Sequence, residues 1–309
     1  MFSGNYQIEE EEGSGAFLDR DGSVFHHVLA YLRDGVVAVG CERDIPMLER
    51  LKREFDFYCI EPMTERTVVL AVGGRTPYHV TLSSVEAYDV ERRLWQASAP
   101  MLQERWGFGM CVIAGELYVT GGGDSNDNEF ATVERYSPSS NTWSSVTAMP
   151  EARYGHEACE VAGSMYGVGG SLQQTWKYDA EADSWSEVAP LPDERLDPAA
   201  CSIGSDIFVI GGRTTRHMAQ SDVHKYNSVS NTWSTVSPMP TARKLHGACV
   251  VGGMIYVAGG LDTADTELSS VLRYDPSSDT WTAVASMFAS SSWCSCVCSG
   301  RVRVRCWRS

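Results

Sequence analysis

A mainly β fold, built as a ring of short four-stranded blades, is the class this sequence predicts, and three observations predict it. A Gly-Gly pair ends an apolar run five times, at Gly73-Gly74, Gly121-Gly122, Gly169-Gly170, Gly211-Gly212 and Gly259-Gly260. Each pair is followed by a Tyr and, seven residues later, a Trp: Tyr88 and Trp95, Tyr136 and Trp143, Tyr178 and Trp185, Tyr226 and Trp233, Tyr274 and Trp281. Six residues after each Trp stands Met101, Met149, Leu191, Met239 or Met287, and the period is 48, 48, 42 and 48 residues. A period of about fifty residues made of short β runs is the signature of a β-propeller, one blade per repeat.

Each repeated feature has a physical reading. The runs ELYVTGG, SMYGVGG, DIFVIGG and MIYVAGG are apolar stretches stopped by Gly, which reads as buried inner strands. Two Gly at a strand end allow a backbone course or close approach that a Cβ would block. One Tyr and one Trp per blade are large enough to fill the gap between neighbouring blades. Arg105, Arg153, Arg195 and Arg243 recur in every complete blade, so they read as structural. These motifs resemble the kelch repeat family over roughly residues 64 to 288. The resemblance implies a propeller that presents loops at one face of a ring.

Residues 1–63 are different in kind. Phe17 to Gly35 (FLDRDGSVFHHVLAYLRDG) reads as a strand-like pair, an Asp-rich turn and a helix carrying Val24, Phe25, Val28, Leu29 and Leu32. Ile45 to Ile60 places Met47, Leu48, Leu51, Phe55 and Tyr58 at helical spacing. Both helices are amphipathic and need a partner surface. Met1 to Gly4, Phe17 to Gly22, the helix through Leu32 to Gly35 and Glu54 to Tyr58 resemble the second half of a BTB/POZ domain of the potassium-channel tetramerisation type. The resemblance implies self-association into a homo-oligomer. It also implies that the first half of that domain belongs before Met1, so the expectation is a partial BTB/POZ domain.

The expected domains are the partial BTB/POZ domain over 1–63, a kelch propeller over 64–300 and an irregular basic tail over 301–309. The first repeat lacks its innermost strand. SSSWCSCVCSG, Ser290 to Gly300, occupies the slot of GMCVIAG and GACVVGG and is the candidate to close the ring from the other terminus. That count makes five blades, with a truncated six-bladed ring as the competitor. In the tail, Ser291 stands where the recurring Arg is due, and RVRVRCWRS takes the slot of MIYVAGG. Arginines on a buried inner strand are costly, so no further inner strand is expected there.

Chemistry is scarce. The net charge of −15 argues against nucleic acid and anionic membrane surfaces as partners. No apolar run has the length of a membrane span or the form of a secretory signal, so a cytoplasmic protein is expected. Cys111, Cys159, Cys201 and Cys249 hold one strand position in four blades and read as small buried apolar groups, not disulfides. Cys294, Cys296, Cys298 and Cys306 lack zinc-site spacing, and His26 and His27 lack further ligands, so no metal and no cofactor are expected. No phosphate loop or nucleophile motif is present, and no catalytic residue is assigned.

What remains is recognition by loops. Those after the Gly pairs begin at Arg75 (RTPYHVTLS), Gly123 (GDSNDNEFA), Arg213 (RTTRHMAQS) and Leu261 (LDTADTELS). The third blade's loop, SLQQ from Ser171, is shorter by the whole change of period and would notch the rim. Arg75, Tyr78, His79, Trp106, Tyr154, Arg213, Arg216, His217 and Lys244 are the candidate partner contacts, because Arg and aromatic residues dominate interface hot spots. Their basic members point to an acidic peptide. With the BTB/POZ resemblance, the expected function is a protein-interaction adaptor. Its propeller would bind a substrate peptide, its BTB/POZ part would self-associate, and a cullin scaffold of a ubiquitin ligase is the implied partner. The alternatives are a scaffold without a ubiquitin role, including an actin-associated one, and a small-molecule enzyme on the ring axis.

Overall fold

A computed structural model describes residues 68–76, 78–89, 92–288, 290, 294–298 and 303–307, with backbone alone for 68, 294–298 and 303–307. They belong to the second of two units, Thr67–Ser309. The expected helices and BTB/POZ features of residues 1–63 lie outside the described residues.

Five sheets stand around a ring. Blade 1 carries β1 (Val68–Arg75), β2 (Thr81–Asp89) and β3 (Leu94–Ser98). Blade 2 is β4 (Gly109–Ile113), β5 (Glu116–Thr120), β6 (Val133–Ser137) and β7 (Thr142–Val146). Blade 3 is β8 (His156–Val161), β9 (Ser164–Gly169), β10 (Thr175–Asp179) and β11 (Ser184–Val188). Blade 4 is β12 (Ala199–Ile203), β13 (Asp206–Ile210), β14 (Val223–Asn227) and β15 (Thr232–Val236). Blade 5 is β16 (Gly247–Val251), β17 (Met254–Ala258), β18 (Val271–Asp275) and β19 (Thr280–Val284). Blades 2 to 5 are antiparallel meanders in sequence order. Their short hairpins follow from residues that accept positive φ: Ala114-Gly115 turns β4 into β5 at φ 49° and 84°, the two-residue type I′ geometry whose twist matches the strands.

The ring closes through the C-terminal segment. β20 (Cys294–Cys298) takes the inner edge of the blade 1 sheet and lies against β16 and β4, as expected of residues 290–300. One expectation is corrected. β20 does not pair with β1 itself, because β21 (Arg303–Trp307), from the segment read as an irregular tail, comes between them. β21 is antiparallel to β20 and parallel to β1, with Val69 opposite Arg303 and Leu70 opposite Val304. The cost of burying arginine is a side-chain cost. Strand formation here is decided by pairing the backbone groups that β20 and β1 would otherwise leave open.

The apolar core lies between blades. Leu70, Val72, Val85 and Met101 of blade 1 pack with Phe108, Met110, Leu117 and Val119 of blade 2. Comparable clusters join blades 2 and 3, 3 and 4, and 4 and 5. With a separate core at each of these four seams, and none among the described residues that spans all the blades, the polar fastenings of each seam matter.

Candidate partner-binding face

Three sets of polar fastenings fix the loops. The first is built on the recurring Tyr and Trp, which stand opposite each other on the two outer strands with ring centroids about 5 Å apart in every blade. Each indole of blades 2 to 5 reaches back to a carbonyl of the preceding blade: Trp143 to Ala99, Trp185 to Thr147, Trp233 to Ala189 and Trp281 to Ser237, at 2.8–2.9 Å. The N–H of that same residue donates to Asn141, Asp183, Asn231 or Asp279. That side-chain oxygen also accepts the hydroxyl of Tyr136, Tyr178, Tyr226 or Tyr274. These four Asn and Asp residues escaped the sequence reading. Their signal was an Asn or Asp two residues before Trp, in NTW, DSW, NTW and DTW, with RLW in the first repeat.

The second fastening uses the recurring arginines. The second Gly of a pair donates its N–H to the carbonyl of the next blade's arginine: Gly74 to Arg105, Gly122 to Arg153, Gly170 to Arg195 and Gly212 to Arg243. A Cβ on the first Gly would stand in the way. At Gly121, φ is +60° and an added Cβ would lie 2.6 Å from the Arg153 carbonyl and 2.9 Å from Met149 Cε. The guanidinium turns into its own blade. Arg105 Nη1 donates to the carbonyls of Gly121 and Thr132 at 2.8 and 2.9 Å. Arg105 Nε and Nη2 grip buried Glu134 at 3.2 and 2.8 Å, and the same carboxylate accepts the N–H groups of Leu102 and Gln103.

The third is a backbone chain around the inner rim. Gly155 donates to Gly107, Asp197 to Gly155 and Leu245 to Asp197, over 2.7, 2.8 and 3.2 Å. All four residues have positive φ. Two histidines stand one residue further on, in fully buried sites. Burial pushes the pKa of His156 well below its usual value, helped by Arg153, and that of His246 down to about 3, helped by Arg243. Burial likewise raises the thiols of Cys111 and Cys159.

The loops after the Gly pairs share a compact turn. Thr76 N–H donates to the Val80 carbonyl, Asp124 to Asn128, Thr214 to Met218 and Asp262 to Thr266. His79, Asp127, His217 and Asp265 hold the matching left-handed position. The face is thus a crown of formed turns, with the shorter Ser171 loop over blade 3.

The candidate contacts divide. Arg75, Trp106 and Tyr154 form one stack: the Arg75 guanidinium lies 4.9 Å from the Trp106 ring, which lies 5.5 Å from the Tyr154 ring. Trp106 Nε1 also donates to the Asp124 carbonyl. Arg75 pairs with Asp127 at 3.6 Å. Arg213 is held by Asp197 at 2.6 Å and meets His217 Nδ1 at 2.7 Å. Lys244 is buried, 2.6 Å from Asp265 and donating to the His217 carbonyl. Tyr78, 88% exposed, with His79, Arg216 and His217, stands clear on the crown. The cations that pointed to an acidic peptide are therefore mostly neutralised from within. Glu104, Glu129 and Glu194 add further exposed carboxylates on these loops.

Among the described residues no group of His, Cys, Asp or Glu could hold a metal, and no helix is long and apolar enough to cross a membrane.

Comparison with known proteins agrees with this architecture. The KLHDC2/KLHL20/DRC7 Kelch-repeats domain matches residues 63–260 and 150–302, and a BTB/POZ domain matches residues 2–67. BTB/POZ domain-containing protein KCTD21 of Homo sapiens is 35% identical over 65 residues, 21% of this chain and 24% of its own. Kelch-like protein 28 of Homo sapiens is 38% identical over 61 residues, 20% of this chain and 11% of its own. The chain thus spans at most 24% of the length of these two relatives. The solved structure of YjhT superposes with a TM-score of 0.64 at 15% identity, covering 76% of this chain and 88% of that one, a likeness of fold.

Proposed function

Because this chain belongs to the kelch-repeat propeller family and carries a BTB/POZ domain ahead of its propeller in the sequence, we propose that it is a cytoplasmic substrate-recognition subunit of a cullin-RING ubiquitin ligase. The pairing of these two domains is that of a protein-interaction adaptor. The crown binds a segment of the protein to be modified. The BTB/POZ part self-associates and contacts the cullin, and self-association raises the effective affinity for a multivalent substrate. A propeller joined to a BTB/POZ domain is typical of adaptors, not catalysts.

The observation that carries the reading is the crown itself: turns held by backbone hydrogen bonds, presenting Tyr78, His79, Arg216, His217 and Met218 to solvent. Loops already formed lose little conformational entropy on binding. The charge balance of the face favours a segment carrying Lys or Arg with apolar neighbours. Arg75 over Trp106 is an internal example of the cation–π contact such a segment would make.

The test uses the full chain, expressed in cells and captured with its partners. A double variant, Tyr78→Ala with Arg216→Glu, changes exposed groups that the fold does not use. Loss of specific partners with cullin still captured is the expected result. An unchanged partner set refutes the crown as the binding face. Partners captured without any cullin refute the ligase role and leave the scaffold.

A further inference from the structure

Blade 3 lacks an acceptor that blade 2 supplies from its own chain. The arginines of the two blades are seated alike. Arg153 Nη1 donates to the carbonyls of Gly169 and Gln174, at 3.4 and 2.9 Å, as Arg105 Nη1 does to Gly121 and Thr132. That common seat directs the remaining guanidinium edge of both residues to the equivalent place. In blade 2 the place holds the Glu134 carboxylate, taken by Nε and Nη2 together. In blade 3 the strand position of Glu134 is Trp176, which cannot accept.

The donors there are left over. Arg153 is fully buried, and among the described residues its Nε and Nη2 have no hydrogen-bond partner. Trp176 Nε1 is buried and likewise has no partner among them. Opposite Trp176 in the ladder is Gly167, where blade 2 has Val119 opposite Glu134. A Cβ built on Gly167 meets nothing within 4 Å, so there is room on that side of the sheet. The other arginines keep at least one grip on Nη2: Arg195 on Asp222 and Arg243 on Ser270. Among the described residues Arg153 Nη2 has only the Glu151 carboxylate, 3.9 Å away and 44% exposed, beyond hydrogen-bond reach. The residue keeps its charge at neutral pH, since burial lowers its pKa only to about 10.

We propose that the seam between blades 2 and 3 is a binding site for a small monovalent anion of the halide class, held by Arg153 Nε and Nη2 and Trp176 Nε1 in the place that Glu134 fills in blade 2. A buried guanidinium with unmet donors is costly, and a counter-anion removes both the unpaired charge and the unmet hydrogen bonds. The donors are closed off from the surface, which selects a free ion over a side chain of a partner protein. Anion binding stabilises the seam beneath Tyr154 and so links the ionic environment to the crown.

The test is thermal unfolding of the full chain with chloride replaced by gluconate at constant ionic strength. The expected result is a melting temperature that rises with chloride and saturates. Trp176→Glu supplies an internal carboxylate, and its melting temperature should not respond to chloride. Glu151→Gln, at an exposed position, removes the competing carboxylate and should bring saturation at lower chloride. In crystals grown with bromide, an anomalous peak within hydrogen-bond distance of Arg153 Nη2 is expected. A wild-type protein indifferent to chloride, or a bromide-free seam, overturns the proposal and leaves water as the occupant.

Discussion

Asn141 is the best place to test whether the seams are held by the Tyr–Asn/Asp–Trp fastening. Its Oδ1 accepts the Tyr136 hydroxyl and the Ala99 N–H, each at 2.9 Å, and Trp143 Nε1 closes the loop onto the Ala99 carbonyl at 2.8 Å. Asn141 is exposed and has φ +51°. Three substitutions separate the contributions. Asn141→Asp keeps the acceptor, as Asp183 and Asp279 do in other blades, and surface substitutions that preserve contacts change stability by about 0.5 kcal/mol or less. Asn141→Gly keeps the left-handed backbone but loses both bonds, a cost of about 1–2 kcal/mol for the pair. Asn141→Ala adds the left-handed penalty of about 1 kcal/mol. The order of stability expected in urea or thermal unfolding is Asp, then Gly, then Ala, and a loss of about 2–3 kcal/mol in the Ala variant lowers the midpoint by roughly 5–10 °C in a domain of this size. The reasoning fails if Asp is as damaging as Ala, or if Gly unfolds with the wild type.

Other consequences follow from the same fastenings. His156 and His246 are neutral in the fold but free to protonate when unfolded, so the unfolded state binds more protons below the ordinary histidine value of 6.5. Stability should therefore be full above that value and decline as pH falls through it, by about 1 kcal/mol per buried histidine at a pH one unit below 6.5. Denaturation midpoints on either side of pH 6.5 measure this, and His246→Phe, which copies Phe108 at the same loop position, should remove its share of the slope. Glu134→Gln removes the buried charge partner of Arg105 and should cost about 3 kcal/mol in urea unfolding, against about 1 kcal/mol or less for partly exposed pairs such as Glu116 with Arg135. Gly121→Ala meets the Arg153 carbonyl as well as a left-handed backbone and should cost about 3 kcal/mol or more, whereas Gly115→Ala, with open space around it, should cost only the conformational part, about 1 kcal/mol.

Much of this architecture was legible because the blades repeat. Periodic Gly, Tyr and Trp residues announce a role that each copy shares, and the Asn or Asp before Trp could have been found by the same comparison. The crown was less legible. Lys244 and Arg213 look like free cations in the sequence, yet Asp265 and Asp197 meet them through turns whose left-handed positions bring distant residues together. Glu134 was less legible for the opposite reason: it recurs only as Glu86 in blade 1, while Trp176, His224 and Leu272 hold the position in the other blades, so no steady period marks it. The β21 strand was missed because its sequence was judged by side-chain cost, while the fold used its backbone.

The repeat also shows where the ring is least fastened. Between each consecutive pair from blade 1 to blade 5, a Trp reaches back to a carbonyl, an Asn or Asp takes the adjoining N–H, and an arginine carbonyl accepts a Gly N–H. The remaining junction joins blade 5 to blade 1. There the Asn/Asp position is Arg93, which has no side-chain oxygen to accept with. Trp95, the counterpart of the latching indoles, is 47% exposed, while Trp143 is 8% exposed. Among the described residues, the Asn/Asp latch of the other seams is thus missing from the seam closed by strands from both ends of the propeller. Closure there rests on the backbone ladder of β20, β21 and β1, so the C-terminal hairpin is both the completion of the ring and the element whose removal would open it.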